Sequence, residues 1–443
     1  VAHKSARHKR QRNNAPPHAV AHHHRGIGLK FAEMLKSGRG AWVAFLAVLG
    51  PGLLAGLSDD DPAGITTYSV LGADFGYRLL WIIPASTVLL VQFHLMAVRI
   101  GAATGKGFVG IIREKWGRGA GYFAVGGLLF ANFGTICAEY AGISAAGGLV
   151  GMPSWISAPV AGVVISLVVV LGSFHRVERV LLVISSTLAL YIVDGLLAGP
   201  EWGEVLHNSV IPHLPTSAAG WIAIAAALGT TLAPWGLAFI QSYAVDKKIS
   251  LESLRWARAD VIIGSVLTGV IGLAIAVACA ATLNKAGVHI TDAGDAAKAL
   301  EPLAGRFATV LFGAGLLGAS LLAAAIVPIA TAYSIAEGVG EPASLDLDSH
   351  HFQWFYAAFV GLTIASVSVV SLPGLPLIPL IYTSQVVNAV LLPLHVIALQ
   401  LLAADASIMG TARSGPWSRL VGWGSILLIL ACVVALGWSW VQG

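Results

Sequence analysis

Charge is what this chain has least of. Asp, Glu, Lys and Arg make up only 11% of its 443 residues, against about 25% in soluble globular proteins. Twenty-six basic and 22 acidic side chains cannot wet the surface of a globule of this length, which excludes a soluble enzyme and an intrinsically disordered chain. Cysteine is nearly absent. Cys137, Cys279 and Cys432 stand singly in apolar stretches with no close Cys or His, so they read as small buried hydrophobes, not a disulfide or zinc framework. A phosphate loop, an HExxH pair and a nucleophile elbow are all missing. A membrane-embedded enzyme using its acids as an acid/base pair therefore has little support, and no resident cofactor is expected. The isoelectric point near 9.0 does not point to nucleic acid, because in a chain with long apolar runs basic residues report topology.

What the chain has is apolar length. Hydrophobic residues reach 56%, with 51 Gly and 19 Pro, and the mean hydropathy is +0.79. Glycine and proline at this level suit close helix packing and broken helices in lipid. From residue 41 onward, eleven segments are each long enough to cross about 30 Å of hydrocarbon. They run near 41–74, 78–102, 119–149, 153–173, 177–199, 218–245, 257–282, 304–336, 352–373, 376–402 and 417–441. The expected fold is an all-α integral membrane protein with one transporter domain over 41–443. Residues 1–40 form a basic, His-containing tail with nine Lys or Arg and six His, including His22, His23 and His24. Nothing in the tail fixes ligand geometry, so it reads as a solvated, disordered segment and not as a metal site. The chain begins at Val1, so a longer N-terminus is expected.

Orientation follows from the basic residues. With the tail in the cytoplasm, inward segments hold 22 of the 26 Lys and Arg, while outward links hold only Arg78, Lys285, Lys298 and Arg306. This asymmetry places the N-terminus inside, and an odd number of spans places the C-terminus outside. Arg99 and Arg176 fall at cytoplasmic helix ends as anchors, and Asp194, near the outer end of the fifth span, is expected at the interface.

Two spans are interrupted at mid-depth. The first contains Gly50-Pro51-Gly52 and then Asp59-Asp60-Asp61-Pro62-Ala63-Gly64; the sixth contains Gly229-Thr230-Thr231-Leu232-Ala233-Pro234-Trp235-Gly236. Adjacent carboxylates at that depth must meet water, a cation or protein. Proline breaks the hydrogen-bond ladder and Gly64 permits an unwound backbone. Broken helices in corresponding positions of two halves mark a transporter's substrate site. The halves here are about 41–199 and about 218–402, with about 417–441 as an added helix. Freed carbonyls and an Asp carboxylate are hard oxygen ligands for a cation. Glu139, alone in the third span, adds a second carboxylate or is a hydrogen-bonded structural acid. Gln385 and Asn388, one turn apart, are neutral oxygen donors or interhelical hydrogen-bond partners. Successive helical residues point 100° apart, so Asp59, Asp60 and Asp61 cannot all face one ion. Asp61 is expected to be central, with Asp59 and Asp60 as accessory acids that raise cation density in the access path.

Together these segments resemble the Nramp divalent-metal transporter family over about residues 41–411. The resemblance rests on Phe45–Gly64 (FLAVLGPGLLAGLSDDDPAG), Phe75–Trp81 (FGYRLLW), Ala97–Gly105 (AVRIGAATG), Thr135–Gly142 and Ser384–Val387. The sixth span, GTTLAPWGLAFIQSYAV, matches the family's metal-binding helix in position. The resemblance implies a LeuT-type fold of eleven transmembrane helices with a 5+5 inverted repeat, helices 1 and 6 unwound at mid-membrane. It also implies a metal site drawn from Asp61, Gly64, Glu139, Thr230, Ala233 and Gln385, with Asn388 and Trp235 behind it.

Departures from the family pattern are informative. The family's Asp-Pro-Gly-Asn is Asp61-Pro62-Ala63-Gly64 here, and its Met-Pro-His is Ala233-Pro234-Trp235. Loss of the Met thioether leaves an oxygen-only site that suits a hard ion, and loss of Met and Asn enlarges it for a hydrated one. Proton-coupled members also use that His and an Asp three residues before the third-helix Glu; Trp235 and Ile136 stand there and cannot carry a proton. These absences resemble the Nramp-related magnesium transporters. The implied cargo is Mg2+, with Mn2+ as a second ion it would carry, moved by alternating access through a bacterial plasma membrane without proton coupling. Alternatives are a proton-coupled Mn2+/Fe2+ importer and an amino-acid carrier of the same fold, the latter disfavoured by the acidic cluster. The partners implied are a divalent cation and the lipid bilayer, with no nucleic acid.

Overall fold

The computed structural model describes residues 61–170, 190–246, 249–251, 254–301, 305–341 and 353–442, and every regular element among them is helical. In chain order the principal helices are α1 (Pro62–Phe75), α2 (Ile82–Thr104), α3 (Phe108–Trp116), α4 (Arg118–Gly148) and α5 (Ser154–Val170). Then come α6 (Leu190–Leu197), α7 (Trp202–Val210), α8 (Ala218–Thr231), α9 (Pro234–Asp246) and α10 (Leu254–Cys279). The last four are α11 (Ala308–Val339), α12 (Gln353–Val370), α13 (Leu377–Ala404) and α14 (Pro416–Gln442). Most of the long helices are apolar all round, the pattern of helices buried in protein or lipid. Among the described residues, seven helical stretches are long and apolar enough to cross a membrane, α8 and α9 together forming one of them, and two shorter apolar helices, Ser154–Val170 and Trp354–Val370, fall where spans are expected. The expected first and fifth spans lie partly outside the described residues, as do Asp59, Asp60 and Arg176.

Burial identifies the centre of the bundle. In the Ala218–Val245 span, 94% of the most apolar window is buried, against 33% in Pro416–Ser439. The broken span is thus the interior one and α14 is peripheral. All three cysteines are buried and free, as small hydrophobes should be.

Two links expected to be simple polar connections contain short amphipathic helices. In α3, Phe108, Val109, Ile111 and Ile112 are buried, and Arg113 and Lys115 occupy the last turn, where positive charge suits the helix dipole. In α7, Trp202, Leu206 and Val210 form an exposed apolar stripe while Val205 and Asn208 are buried. Neither helix, at nine residues, can cross a bilayer, so a search for long apolar runs passes over both. Lys115 pairs with Asp405 at 2.7 Å, tying α3 to the end of α13. The ammonium of Lys115 and the Ser407 hydroxyl hold the Asp405 carboxyl well below the usual carboxylate range.

Asp194, near the outer end of its span, is more enclosed than the sequence suggests. It is 0% exposed on α6, enclosed by protein and not open to an interface. The next residue, Gly195, packs so closely on α10 that a Cβ would lie 3.2 Å from the Ala274 carbonyl oxygen. Helix–helix contact with α10 sets its surroundings.

Candidate metal centre

The first half of the centre is the start of α1. Asp61 has extended backbone (φ −70°, ψ 176°) and is the N-cap, its carboxylate accepting from the Gly64 N–H at 2.7 Å. Pro62 follows at the first helical position, where its missing N–H costs nothing and its fixed φ favours helix. Proline here begins a helix instead of breaking one. Gly64 consequently lies inside the first turn of α1 and not in an unwound stretch, which corrects its expected role as a backbone ligand. Its contribution is an N–H that orients Asp61. The Asp61 carbonyl is also taken, accepting from the Ile65 N–H at 3.0 Å. The side chain, only 4% exposed, is what Asp61 offers.

Glu139 comes to Asp61 on α4. The two carboxyl groups are close enough to interact. What allows the approach is Gly142, three residues further along the same helical face. A Cβ there would stand 2.4 Å from Pro62 Cβ and 2.5 Å from Ser320 Oγ. Gly142→Ala is therefore expected to push α4 from α1, costing about 1–3 kcal/mol of overpacking and at least about tenfold in metal affinity, as for supporting-shell changes. Thermal unfolding in detergent and ion titration of the purified variant check the two effects separately.

The second half is the break between α8 and α9. Leu232 leaves helical geometry (φ −110°, ψ 44°) and α9 restarts at Pro234. Because Pro234 has no N–H, the Thr230 carbonyl loses its partner four residues ahead. The Thr230 hydroxyl is also buried and has no hydrogen-bond partner among the described residues. Thr230 thus presents two open oxygens at the negative end of α8. The Ala233 carbonyl is less available, since it accepts from the Gly236 N–H at 3.0 Å and from Leu237 at 3.5 Å. Next along the chain, Thr231 Oγ1 meets Tyr68 Oη at 2.7 Å and Ser86 Oγ at 3.1 Å, binding the end of α8 to α1 and α2. Neither Tyr68 nor Ser86 stands out in the sequence; only their meeting at the break gives them a role.

The amides of α13 divide their labour. Gln385 donates from Nε2 to Ser384 Oγ at 2.7 Å, and its Oε1 accepts from Asn388 Nδ2 at 3.0 Å. Asn388 Nδ2 also donates to Thr135 Oγ1 at 3.0 Å, one turn before Glu139 on α4. The oxygen left open, among the described residues, is Asn388 Oδ1. Asn388 is thus better placed than Gln385 to offer a free oxygen, the reverse of the order expected from sequence. Trp235 is 1% exposed in the first turn of α9, and its Nε1–H has no partner among the described residues.

Two carboxylates meet at the start of α1 and in mid-α4, and the helices packed on them carry a threonine at the α8 break and a side-chain amide in mid-α13. No three His, Cys, Asp or Glu side chains converge among the described residues. A cation here would be held by two acids with neutral oxygens and water around it, and would relieve the repulsion of two buried carboxylates.

Comparison with known proteins identifies the family and the fold. Residues 52–439 match the natural resistance-associated macrophage protein-like (Nramp) family. A divalent metal cation transporter MntH of Klebsiella pneumoniae is 28% identical over 415 residues, covering 91% of this chain and 95% of the relative. The crystal structure of the Eremococcus coleocola manganese transporter, in complex with an aromatic bis-isothiourea substituted compound, superposes with a TM-score of 0.70. It is 22% identical, covering 90% of this chain and 88% of that one. Mhp1, a nucleobase-cation-symport-1 family transporter, superposes at 0.53 with 15% identity, over 88% of this chain and 92% of its own. The fold is LeuT-type.

Proposed function

The chain belongs to the Nramp family and is a divalent metal cation transporter of that type, not an enzyme; from that premise we propose that it imports Mg2+ by alternating access, without a coupled proton. The observation that carries this reading is the chemistry of the donors. Asp61, Glu139, the two Thr230 oxygens and Asn388 Oδ1 are all hard, and at the break Ala233 and Trp235 supply neither sulfur nor imidazole. Hard oxygen donors suit Mg2+, which keeps several of its waters when bound. Trp235 Nε1–H cannot ligate a cation, but it can donate to a water held by one. Asp61 is the central ligand in this reading and Gln385 a supporting residue that orients Asn388. Asp59 and Asp60 are accessory acids in the access path.

Uptake needs no proton to be favourable. An inside-negative potential supplies about 2.3 kcal/mol per charge per 100 mV, about 4.6 for a divalent ion. Ile136 and Trp235, buried beside the centre's helices, cannot exchange protons. The expected result in proteoliposomes, with trapped Mg2+ and pH indicators, is Mg2+ influx under a negative potential and no accompanying acidification. Stoichiometric acidification would refute the uncoupled mechanism, and absence of influx would refute the cargo.

A second reading, a proton-coupled Mn2+ or Fe2+ importer, draws support from the names of the relatives, a divalent metal cation transporter and a manganese transporter. Oxygen sites bind Mn2+ as well, so Mn2+ transport alone does not separate the readings. Mn2+ uptake does so when measured against millimolar Mg2+: competition by Mg2+ favours the first reading, and indifference to it the second.

A further inference from the structure

Away from the broken helices, a cleft of about 590 Å³ opens where the link after α1 meets α7. The charge asymmetry of the chain assigns both links to the outer side. Its walls include Arg78, Glu204, His207, Asn208 and His213. The two imidazoles have ring centroids 6.1 Å apart and planes tilted by 47°. One Zn2+ held tetrahedrally at about 2.1 Å from a nitrogen of each ring places the two centroids about 5.3 Å apart. The observed separation is within about 1 Å of that value, a gap that rotation of the two exposed imidazoles closes.

The surroundings prepare both rings as ligands. His213 Nδ1 lies 3.1 Å from the Ile211 carbonyl oxygen. A carbonyl can only accept, so the proton is on Nδ1 and Nε2 carries the lone pair, the arrangement usual in metal-binding histidines. The His213 carbonyl in turn accepts from Trp81 Nε1–H at 3.1 Å, which fixes the segment to the base of α2. His207 is on α7, whose exposed Trp202, Leu206 and Val210 stripe turns the opposite face, with Glu204 and His207, toward the cleft. Asn208 Nδ2 donates to Glu204 Oε2 at 3.0 Å, holding a carboxylate one turn before His207. That negative charge offsets Arg78 on the facing wall.

We propose that His207 and His213 form a second metal site, selective for imidazole-seeking transition-metal ions such as Zn2+ or Cu2+ over Mg2+. Two imidazoles and water complete the coordination, because no third His, Cys, Asp or Glu joins the pair among the described residues. The site rejects Mg2+ because nitrogen donors suit borderline-soft ions. A metal bound there ties α7 to the segment anchored on Trp81, and so stiffens the outer link. It acts independently of which ion the central site carries.

The test is Zn2+ titration calorimetry on the purified full chain. The reference protein carries Asp61→Asn and Ala at the six tail histidines, to silence the centre and the tail. The expected result is one Zn2+ bound by the reference protein, unaffected by millimolar Mg2+, and lost or weakened at least about tenfold in both His207→Ala and His213→Ala. Gel filtration and thermal unfolding establish that these exposed substitutions leave the protein folded. Cu2+ electron paramagnetic resonance is expected to show two nitrogen ligands in the reference protein and fewer in either variant. The site is refuted if the reference protein binds no Zn2+, if Mg2+ displaces it, or if either single variant binds as well as the reference.

Discussion

Asp61→Asn is expected to abolish ion binding and uptake while leaving the protein folded. The choice of Asn separates two jobs that Asp61 does at once. It caps α1 through the Gly64 N–H at 2.7 Å, and in the proposed mechanism its charge holds the cation. Asn caps a helix about as well as Asp, whereas Ala costs about 1 kcal/mol at such a position. Changes to supporting residues around a metal cost about 10- to 100-fold in affinity, so loss of the central carboxylate should exceed about 100-fold. Asp61→Ala should bind no better and unfold at a lower temperature than Asp61→Asn. Retained uptake in Asp61→Asn would remove this residue from the centre and the proposed ligand set with it.

Gly229→Ala should be the most damaging small substitution in the bundle. A Cβ at Gly229 would stand 1.8 Å from the Gln385 carbonyl oxygen and 2.8 Å from the Ala389 backbone nitrogen. Both obstacles are backbone of α13, so no side chain can turn aside. The helices would have to separate beside Thr230 and Asn388, two members of the proposed ligand set. Overpacking costs about 1–3 kcal/mol where neighbours can yield, and backbone cannot, so a loss above about 3 kcal/mol is expected. Gly126→Ala on α4 is the control, because nothing lies within 4 Å of its added Cβ. Thermal unfolding in detergent should show a large drop for Gly229→Ala and little change for Gly126→Ala. Similar curves would mean that the α8–α13 approach is looser than described.

Much of the architecture could be read residue by residue. The break after Leu232 follows from Pro234, which lacks the N–H that would close the turn, and the chain does leave helix there. Nine of the eleven expected spans have counterparts among the described helices, because an apolar run of bilayer length has few other stable forms. The link helices α3 and α7 were not legible in that way. Their pattern is amphipathic and short, a weak signal between long apolar runs. Among the centre's residues, Asp61, Glu139 and Thr230 stood out as polar groups in apolar or broken helices. The reading of Gly64 as an unwound backbone ligand failed because Pro62 has two opposite uses. In mid-helix it breaks the ladder, and at the first position it starts one.

The boundary between the two kinds of information is physical. Composition, apolar run length, the place of the prolines and the depth of the acids are properties of the chain. Hydrophobic transfer and backbone hydrogen bonding convert them directly into a helical membrane protein with a polar break. Which oxygens remain open depends instead on contacts between residues far apart in the chain. Gly142 lets Glu139 reach Asp61, Gly229 brings the end of α8 against α13, and Asn388 takes up Gln385 Oε1 and Thr135 while its own Oδ1 has no partner among the described residues. The same holds for Asp194, buried by its packing on α10, and for His207 and His213, paired across one cleft. A side chain's partners are set by what packs against it, and only the folded arrangement supplies that.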